Sequence, residues 1–226
     1  MQPTLLAHPE LTRAVRCGLD EVGRGCLAGP LVAAGVVLPA GFVEGAGQLA
    51  KYLRDSKTVP RAHRSEIAAY IRAHAHTVEI VEIPVKIINL RGIGWANREA
   101  FRILISRITA DEYIVDGRVK PPAPADRAAR VRCLVDADAL EPAVSAASLV
   151  AKVHRDALMC EMHRHFPVYK WDTNAGYGTA AHLDALREHG ATSEHRTQFV
   201  ATALGTTRKR ARNASPTQAT LASTLD

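Results

Sequence analysis

The feature of this 226-residue chain that most restricts its fold is one run of eight residues, Gly18-Leu19-Asp20-Glu21-Val22-Gly23-Arg24-Gly25. An apolar lead-in through Val15, Cys17 and Leu19 carries two adjacent carboxylates and breaks at once into a Gly-Arg-Gly turn. Such a pattern reads as a β-strand and its end. A second apolar run, Leu31 to Leu38, lies between Pro30 and Pro39, so the two read as a hairpin around the glycine-rich turn. The chemistry is equally specific. Carboxylates hold hard cations such as Mg²⁺. Glycines let successive backbone N–H groups approach a phosphate, and arginine adds a planar fork for its oxygens. Alone, Asp-Glu before a glycine turn is equally well a solvated strand end, and only context decides between the two.

Downstream, residues 40–57 are loop-like and end in Asp55-Ser56-Lys57. Thr58 as N-cap and Pro60 in the first turn open a helix to about His74, with Ile67, Tyr70 and Ile71 on its apolar side. Thr77–Pro84 has strand character. Ala96–Ile108 reads as a helix with Phe101, Leu104, Ile105 and Ile108 on one face. Short strands follow at Glu112–Asp116 and Val131–Val135, separated by a proline-rich loop. Pro142–Phe166 is a long helix, and Thr179–His189 a shorter one that Gly190 stops. The expected fold class is α/β: a mixed central β-sheet flanked by helices, with a helical segment toward the C-terminus. Residues 1–13 form a flexible lead-in, 14–204 one domain, and 205–226 a basic, disordered tail.

Charge narrows the partners. Lys and Arg number 29 against 23 Asp and Glu, a net +6. Arg208, Lys209, Arg210 and Arg212 against Asp226 place half of that in the tail, so any nucleic-acid surface on the body is a local patch. Cys17, Cys26, Cys133 and Cys160 have no zinc or Cys-x-x-Cys spacing; Cys17 and Cys133 read as buried thiols, and a reducing, cytoplasmic setting is expected. The N-terminus lacks the apolar core of a signal peptide, and Leu31–Leu38 is too short to span a membrane.

Four carboxylates stand at strand ends or just beyond: Asp20, Glu21, Asp116 and Asp138. Core packing explains acids there poorly; each alone reads as a solvated strand end, whereas four at matching topological positions read as a shared metal site. An all-oxygen cage selects Mg²⁺ or Mn²⁺, and two such ions can clamp the attacking and leaving oxygens of a phosphodiester. On the long helix, Ala143, Ala146, Val150, Val153, Ala157 and Cys160 form a small-residue stripe for packing. Ser145, Ser148, Lys152 and Arg155 follow helical spacing on another stripe, which reads as a phosphate track or as an ordinary polar face. Asp156 stands four residues after Lys152 and can pair with it. Tyr169, Trp171 and Tyr177 cluster before Gly178-Thr179, as a stacking platform or a small core under the loop.

These segments together resemble bacterial ribonuclease HII, a type 2 ribonuclease H. The matching residues are Gly18–Gly25, Asp55-Ser56-Lys57, Val115-Asp116-Gly117, Asp138 through Asp156, Gly176-Tyr177-Gly178-Thr179 and His195-Arg196, spanning about residues 15–204. The resemblance implies a ribonuclease H-like fold. It implies hydrolysis of the RNA strand of RNA–DNA hybrids, and incision 5′ to a ribonucleotide embedded in duplex DNA, leaving 5′-phosphate and 3′-hydroxyl ends. By position, Asp20, Glu21, Asp116 and Asp138 would be the catalytic metal ligands for Mn²⁺ or Mg²⁺. Gly23, Arg24 and Gly25 would contact the 2′-OH and its phosphate, Tyr177 would sense that 2′-OH, and Lys57, Ser148 and Lys152 would touch the substrate backbone. The 2′-OH is what separates RNA from DNA at one site. A monomer is expected; a replication-clamp partner is not readable from the sequence.

Two positions depart from the family pattern: Asp136 stands where a lysine is usual, and Asn174-Ala175 where His-Lys is usual. Each loses a cation near the substrate. A junction resolvase on the same fold and a non-catalytic hybrid-binding module are the competing readings.

Overall fold

The structure is a computed structural model that describes residues 14–49, 52, 59–118, 120–122 and 129–206. The lead-in, Thr58, the Asp55-Ser56-Lys57 segment with its expected substrate contact Lys57, and the tail from 207 onward lie outside the described residues.

The glycine-rich hairpin is the centre of the sheet. Strands β1 (Arg16–Val22) and β2 (Leu31–Val37) pair antiparallel, with Asp20 opposite Ala34. β3 (Thr77–Ile83) adds antiparallel to β2, whereas β4 (Glu112–Asp116) and β5 (Arg130–Leu134) extend β1 in parallel. The described sheet therefore has five strands in the order β3-β2-β1-β4-β5. All seven residues of β2 are buried, as expected of a strand covered on both faces.

Side-chain alternation divides the core. Cys17, Leu19, Leu31 and Ala33 point to one face, where α4 (Ile93–Arg107) lays down Ala96, Ala100, Phe101 and Leu104. Val32, Ala34 and Val36 point to the other, against Ile67 and Ile71 of α2 (Arg61–His74) and Ala146, Ala147 and Val150 of α6 (Pro142–His165). The long helix lies so close to β1 that a Cβ on Gly18 would overlap the Ala143–Val144 backbone. α1 (Phe42–Gly45), a 3₁₀ turn at Gly47–Leu49, and α3 (Val85–Arg91) form within segments that carry no helical periodicity of their own. α5 (Ala137–Leu140), α7 (Trp171–Asn174), α8 (Ala180–His189, capped by Thr179) and α9 (Thr197–Ala203) complete the described helices. No described helix is long and apolar enough to cross a membrane.

Two stripes on the long helix are not as its spacing suggests. Of the small-residue stripe, Ala146 and Val150 are buried as expected but Ala157 and Cys160 are exposed, and Val144, Ala147, Ala151 and Met159 make up the rest of the close-packed face. Ser145 and Arg155, at the ends of the polar stripe, are buried, so that stripe is no continuous phosphate track. Cys133 is half-buried and Cys17 fully buried.

Candidate active site

β1 delivers its two carboxylates to different surroundings because neighbouring strand residues point to opposite faces. Asp20 turns toward the long helix, where Ser148 hydrogen-bonds its carboxylate and the Glu21 N–H donates to Oδ1 at 2.7 Å. Glu21 turns toward α4, where Asn97 donates from Nδ2 to Oε1 at 3.4 Å. The parallel register pairs Leu19 with Val115, so Asp20 and Asp116 are the next residues on adjacent strands.

The three acids feel one another. Burial pushes the Asp20 carboxyl up to about 8, and the nearby charges of Glu21 and Asp116 add to the effect. Burial also raises Glu21, and Arg24, 3.7 Å from its Oε1, opposes that rise. Asp116 accepts the Ala137 N–H at Oδ1, 2.8 Å away, which ties the end of β4 to the short helix carrying Asp138. Asp138 is only 3% exposed. Among the described residues, no three acidic, histidine or cysteine side chains converge into a ready-made metal cage. The donor set nonetheless fits a hard divalent cation. It is all carboxylate oxygen, and the like charges around a buried Asp20 are those a cation would offset.

Beyond the acids, the Gly-Arg-Gly turn is braced from below. Gly23 has φ 85°, and a Cβ there would overlap the Arg155 side chain. Arg155 donates to three carbonyls: Pro30 at 3.0 Å, Ala175 at 2.8 Å and Ala28 at 3.0 Å. Arg196 reaches Gly29 through Nε and Nη2 and Arg24 through Nη1, at 2.8–3.1 Å. Both guanidiniums are buried and held by peptide oxygens. Burial lowers Arg196 to about 10, so it stays charged at neutral pH. Gly25 lies in open space, with nothing within 4 Å of a built Cβ.

Tyr177 stands across the turn, 43% exposed. Its phenol is hydrogen-bonded to the buried Cys26 thiol, whose S–H donates to the Ala175 carbonyl at 3.6 Å. Burial and that thiol raise the phenol above its ordinary value. Tyr169 and Trp171 are not a stacking platform: both are buried, stacked at 5.2 Å in the small core under the loop. A cleft of about 230 Å³ beside Tyr177 is lined by Arg64, Lys152, Asp156 and Asn174. Lys152 is ion-paired with Asp156. Of the expected substrate residues, Lys152 and Tyr177 line this cleft, the Gly23-Arg24-Gly25 turn is tied to the neighbouring backbone through Arg155 and Arg196, and Ser148 sits against Asp20.

Asp136, at the position of a usual lysine, takes a left-handed conformation with φ 56°, which aspartate tolerates better than most residues. Three residues of the site carried no assignment from sequence: Asn97, Arg155 as a brace, and Cys26. Asn97 had a readable signal. It occupies an apolar phase of α4, in line with Ile93, Ala100 and Leu104.

Comparison with known proteins follows the same residues. The profile of a family described as Ribonuclease HII matches residues 17–202. The chain is 41% identical over 186 residues to ribonuclease HII of Paramagnetospirillum magneticum, covering 81% of this chain and 89% of that one. It is 40% identical to that of Burkholderia thailandensis, covering 81% and 82%. Among solved structures, the PCNA:RNase HII complex from Archaeoglobus fulgidus is similar at TM-score 0.68 and 26% identity, over 81% of this chain and 94% of that one. Ribonuclease H2 from Pyrococcus horikoshii shares the fold at TM-score 0.68 and 22% identity, covering 84% and 97%.

Proposed function

The chain belongs to the ribonuclease HII family, and from that membership we propose that it is an endonuclease hydrolysing RNA in RNA–DNA hybrids and cutting 5′ to single ribonucleotides embedded in duplex DNA. The observation that carries this reading is the juxtaposition of Asp20, Glu21 and Asp116 with a Gly-Arg-Gly turn and Tyr177. Phosphodiester hydrolysis needs a cation site beside a phosphate cradle, and the position of the β1 carboxylates directly before the glycine turn supports that reading.

Asp20, Glu21, Asp116 and Asp138 would hold Mg²⁺ or Mn²⁺, which supplies Lewis acidity to an attacking water and a leaving oxygen. The chain's own residues bind and select. Gly23 and Gly25 allow backbone N–H groups to meet the scissile phosphate without a side chain between them. Arg24 offers cationic donors at the same edge. Arg155 and Arg196 fix the carbonyls beneath that turn, so the donors keep their directions. Tyr177 offers a phenol oxygen to the 2′-OH and a ring face to the neighbouring sugar. Lys152, in its cleft with Arg64, contributes cationic charge along the strand. The products are 5′-phosphate and 3′-hydroxyl ends.

The deciding experiment is incision of an end-labelled DNA duplex carrying one ribonucleotide, beside an all-DNA duplex and an RNA–DNA hybrid, in Mg²⁺ and in Mn²⁺. The expected result is a cut 5′ to the ribonucleotide, RNA cleavage in the hybrid and an intact all-DNA duplex. Cleavage of all-DNA substrates, or binding with no cut in either metal, would overturn the reading. The Archaeoglobus complex with PCNA makes a replication clamp the protein partner to test, by co-purification with the full chain.

A further inference from the structure

We propose that Asn97 is a positioning residue of the carboxylate centre: its amide pins one oxygen of Glu21 so that the other is presented to a divalent cation. The proposal rests on the metal-centre reading above.

Two donors converge on the same atom. Asn97 Nδ2 reaches Glu21 Oε1 at 3.4 Å, and the Arg24 guanidinium lies 3.7 Å from that oxygen. Neither contact engages Oε2. A glutamate side chain has three torsions to fix, and a donor on one oxygen fixes the last of them. Hydrogen bonds at such centres are often long before loading and tighten afterwards.

Packing does not account for the amide. Asn97 is 2% exposed, on a helix face otherwise made of Ala96, Ala100, Phe101 and Leu104. Its Oδ1 is buried with no hydrogen-bond partner. A buried carbonyl without a partner is destabilising, and a leucine of similar size would carry no such penalty. The residue therefore works against stability where it stands, and the interaction it does make is with a carboxylate of the proposed centre.

That conflict separates a positioning role from a structural one. The test is Mn²⁺ binding by calorimetry together with metal-free thermal unfolding, on the full chain, for wild type, Asn97→Leu, Asn97→Ala and Glu21→Gln. The leucine variant is expected to unfold at or above the wild-type temperature in the absence of metal, yet to bind Mn²⁺ roughly tenfold or more weakly, the usual effect of removing an outer partner of a ligand. The alanine variant is expected to lose Mn²⁺ affinity by a similar factor, and the same substitution to cost nothing further in a Glu21→Gln background. Unchanged Mn²⁺ affinity in both variants would overturn the proposal, and so would additive losses in the double variant. A lowered unfolding temperature with unchanged affinity would assign Asn97 to packing. If Glu21→Gln itself binds Mn²⁺ like wild type, the metal-centre reading fails, and the proposal falls with it by a separately visible result.

Discussion

His182 and His195 meet through their Nε2 atoms at 3.1 Å, and the surrounding bonds fix which nitrogen carries each proton. The Thr192 N–H donates to His195 Nδ1 at 2.9 Å, so the His195 proton sits on Nε2 and points at His182. His182 Nε2 also receives the Trp171 indole N–H at 3.2 Å, and its Nδ1–H donates to the Tyr177 carbonyl at 2.9 Å. Both rings are neutral in this arrangement, because a further proton on either would face an N–H donor. The chain of bonds ends on the backbone of the residue proposed to read the 2′-OH.

Acid should therefore loosen this region. Burial, with His182 adding to it, lowers His195 from 6.5 to about 4, and burial lowers His182 as well. Because the folded value lies below the unfolded one, the unfolded chain takes up protons first as pH falls. The stability is complete above about pH 6.5 and is lost between there and pH 4, to a total of roughly 3 kcal/mol from His195. Urea unfolding at several pH values should show a shallower slope for His195→Gln, which keeps a donor and an acceptor without titrating. Identical slopes would count against a neutral pair.

Metal should stabilise the wild type and not the variant lacking its central acid. Asp20→Asn puts a neutral amide where burial and the charges of Glu21 and Asp116 oppose an ionised carboxylate, so its metal-free unfolding temperature should equal or exceed that of wild type. Mn²⁺ at a hundred times its dissociation constant should add about 2.7 kcal/mol to wild type and far less to the variant, which should also fail to cleave. Equal Mn²⁺ stabilisation of both would remove Asp20 from the ligand set.

Gly25 and Gly176 should respond to alanine in opposite ways. Gly176 has φ 80°, and a Cβ there would stand 2.5 Å from the Ala28 carbonyl oxygen, so Gly176→Ala should destabilise the chain by about 2 kcal/mol or more. Gly25 has open space, and Gly25→Ala should leave stability within about 0.5 kcal/mol. Cleavage of a single-ribonucleotide duplex should nevertheless fall about tenfold or more in Gly25→Ala, since the new methyl group would stand in the proposed path of the phosphate. Full activity in that variant would detach Gly25 from the phosphate cradle.

Replacing Arg155 by methionine should both unfold and mis-set the site. Three carbonyls lose their donor at once, with an expected loss of about 3 kcal/mol or more by urea unfolding. Because those carbonyls flank the Gly-Arg-Gly turn and Tyr177, the fraction that remains folded should bind a ribonucleotide-containing duplex more weakly. A wild-type unfolding midpoint would show that the brace is dispensable.

Removing the Tyr177 ring should separate selectivity from metal binding. Tyr177→Ala should reduce cleavage at single embedded ribonucleotides more than cleavage of a long hybrid, with Mn²⁺ affinity unchanged. Equal effects on the two substrates would refute a role in reading the 2′-OH.

What the sequence by itself determined is local. Alternation through Cys17 and Leu19 into Asp20 and Glu21, followed by glycines, is a pattern that only a strand end accommodates, and β1 ends there. Asp116 closing β4 was legible for the same reason. The Lys152–Asp156 pair needed only helical spacing. Tertiary structure decided the rest. Helical phase groups Ser145, Ser148, Lys152 and Arg155 but does not say which of them meets solvent. Packing against β1 and the 23–30 turn buries Ser145 and Arg155 and makes Arg155 a brace rather than a phosphate contact. Asn97 finds Glu21 from 76 residues away, and His195 finds His182 only once α8 and the loop before α9 pack on Trp171. Such partners are set by which faces come together in the folded core, and chain spacing carries no record of that.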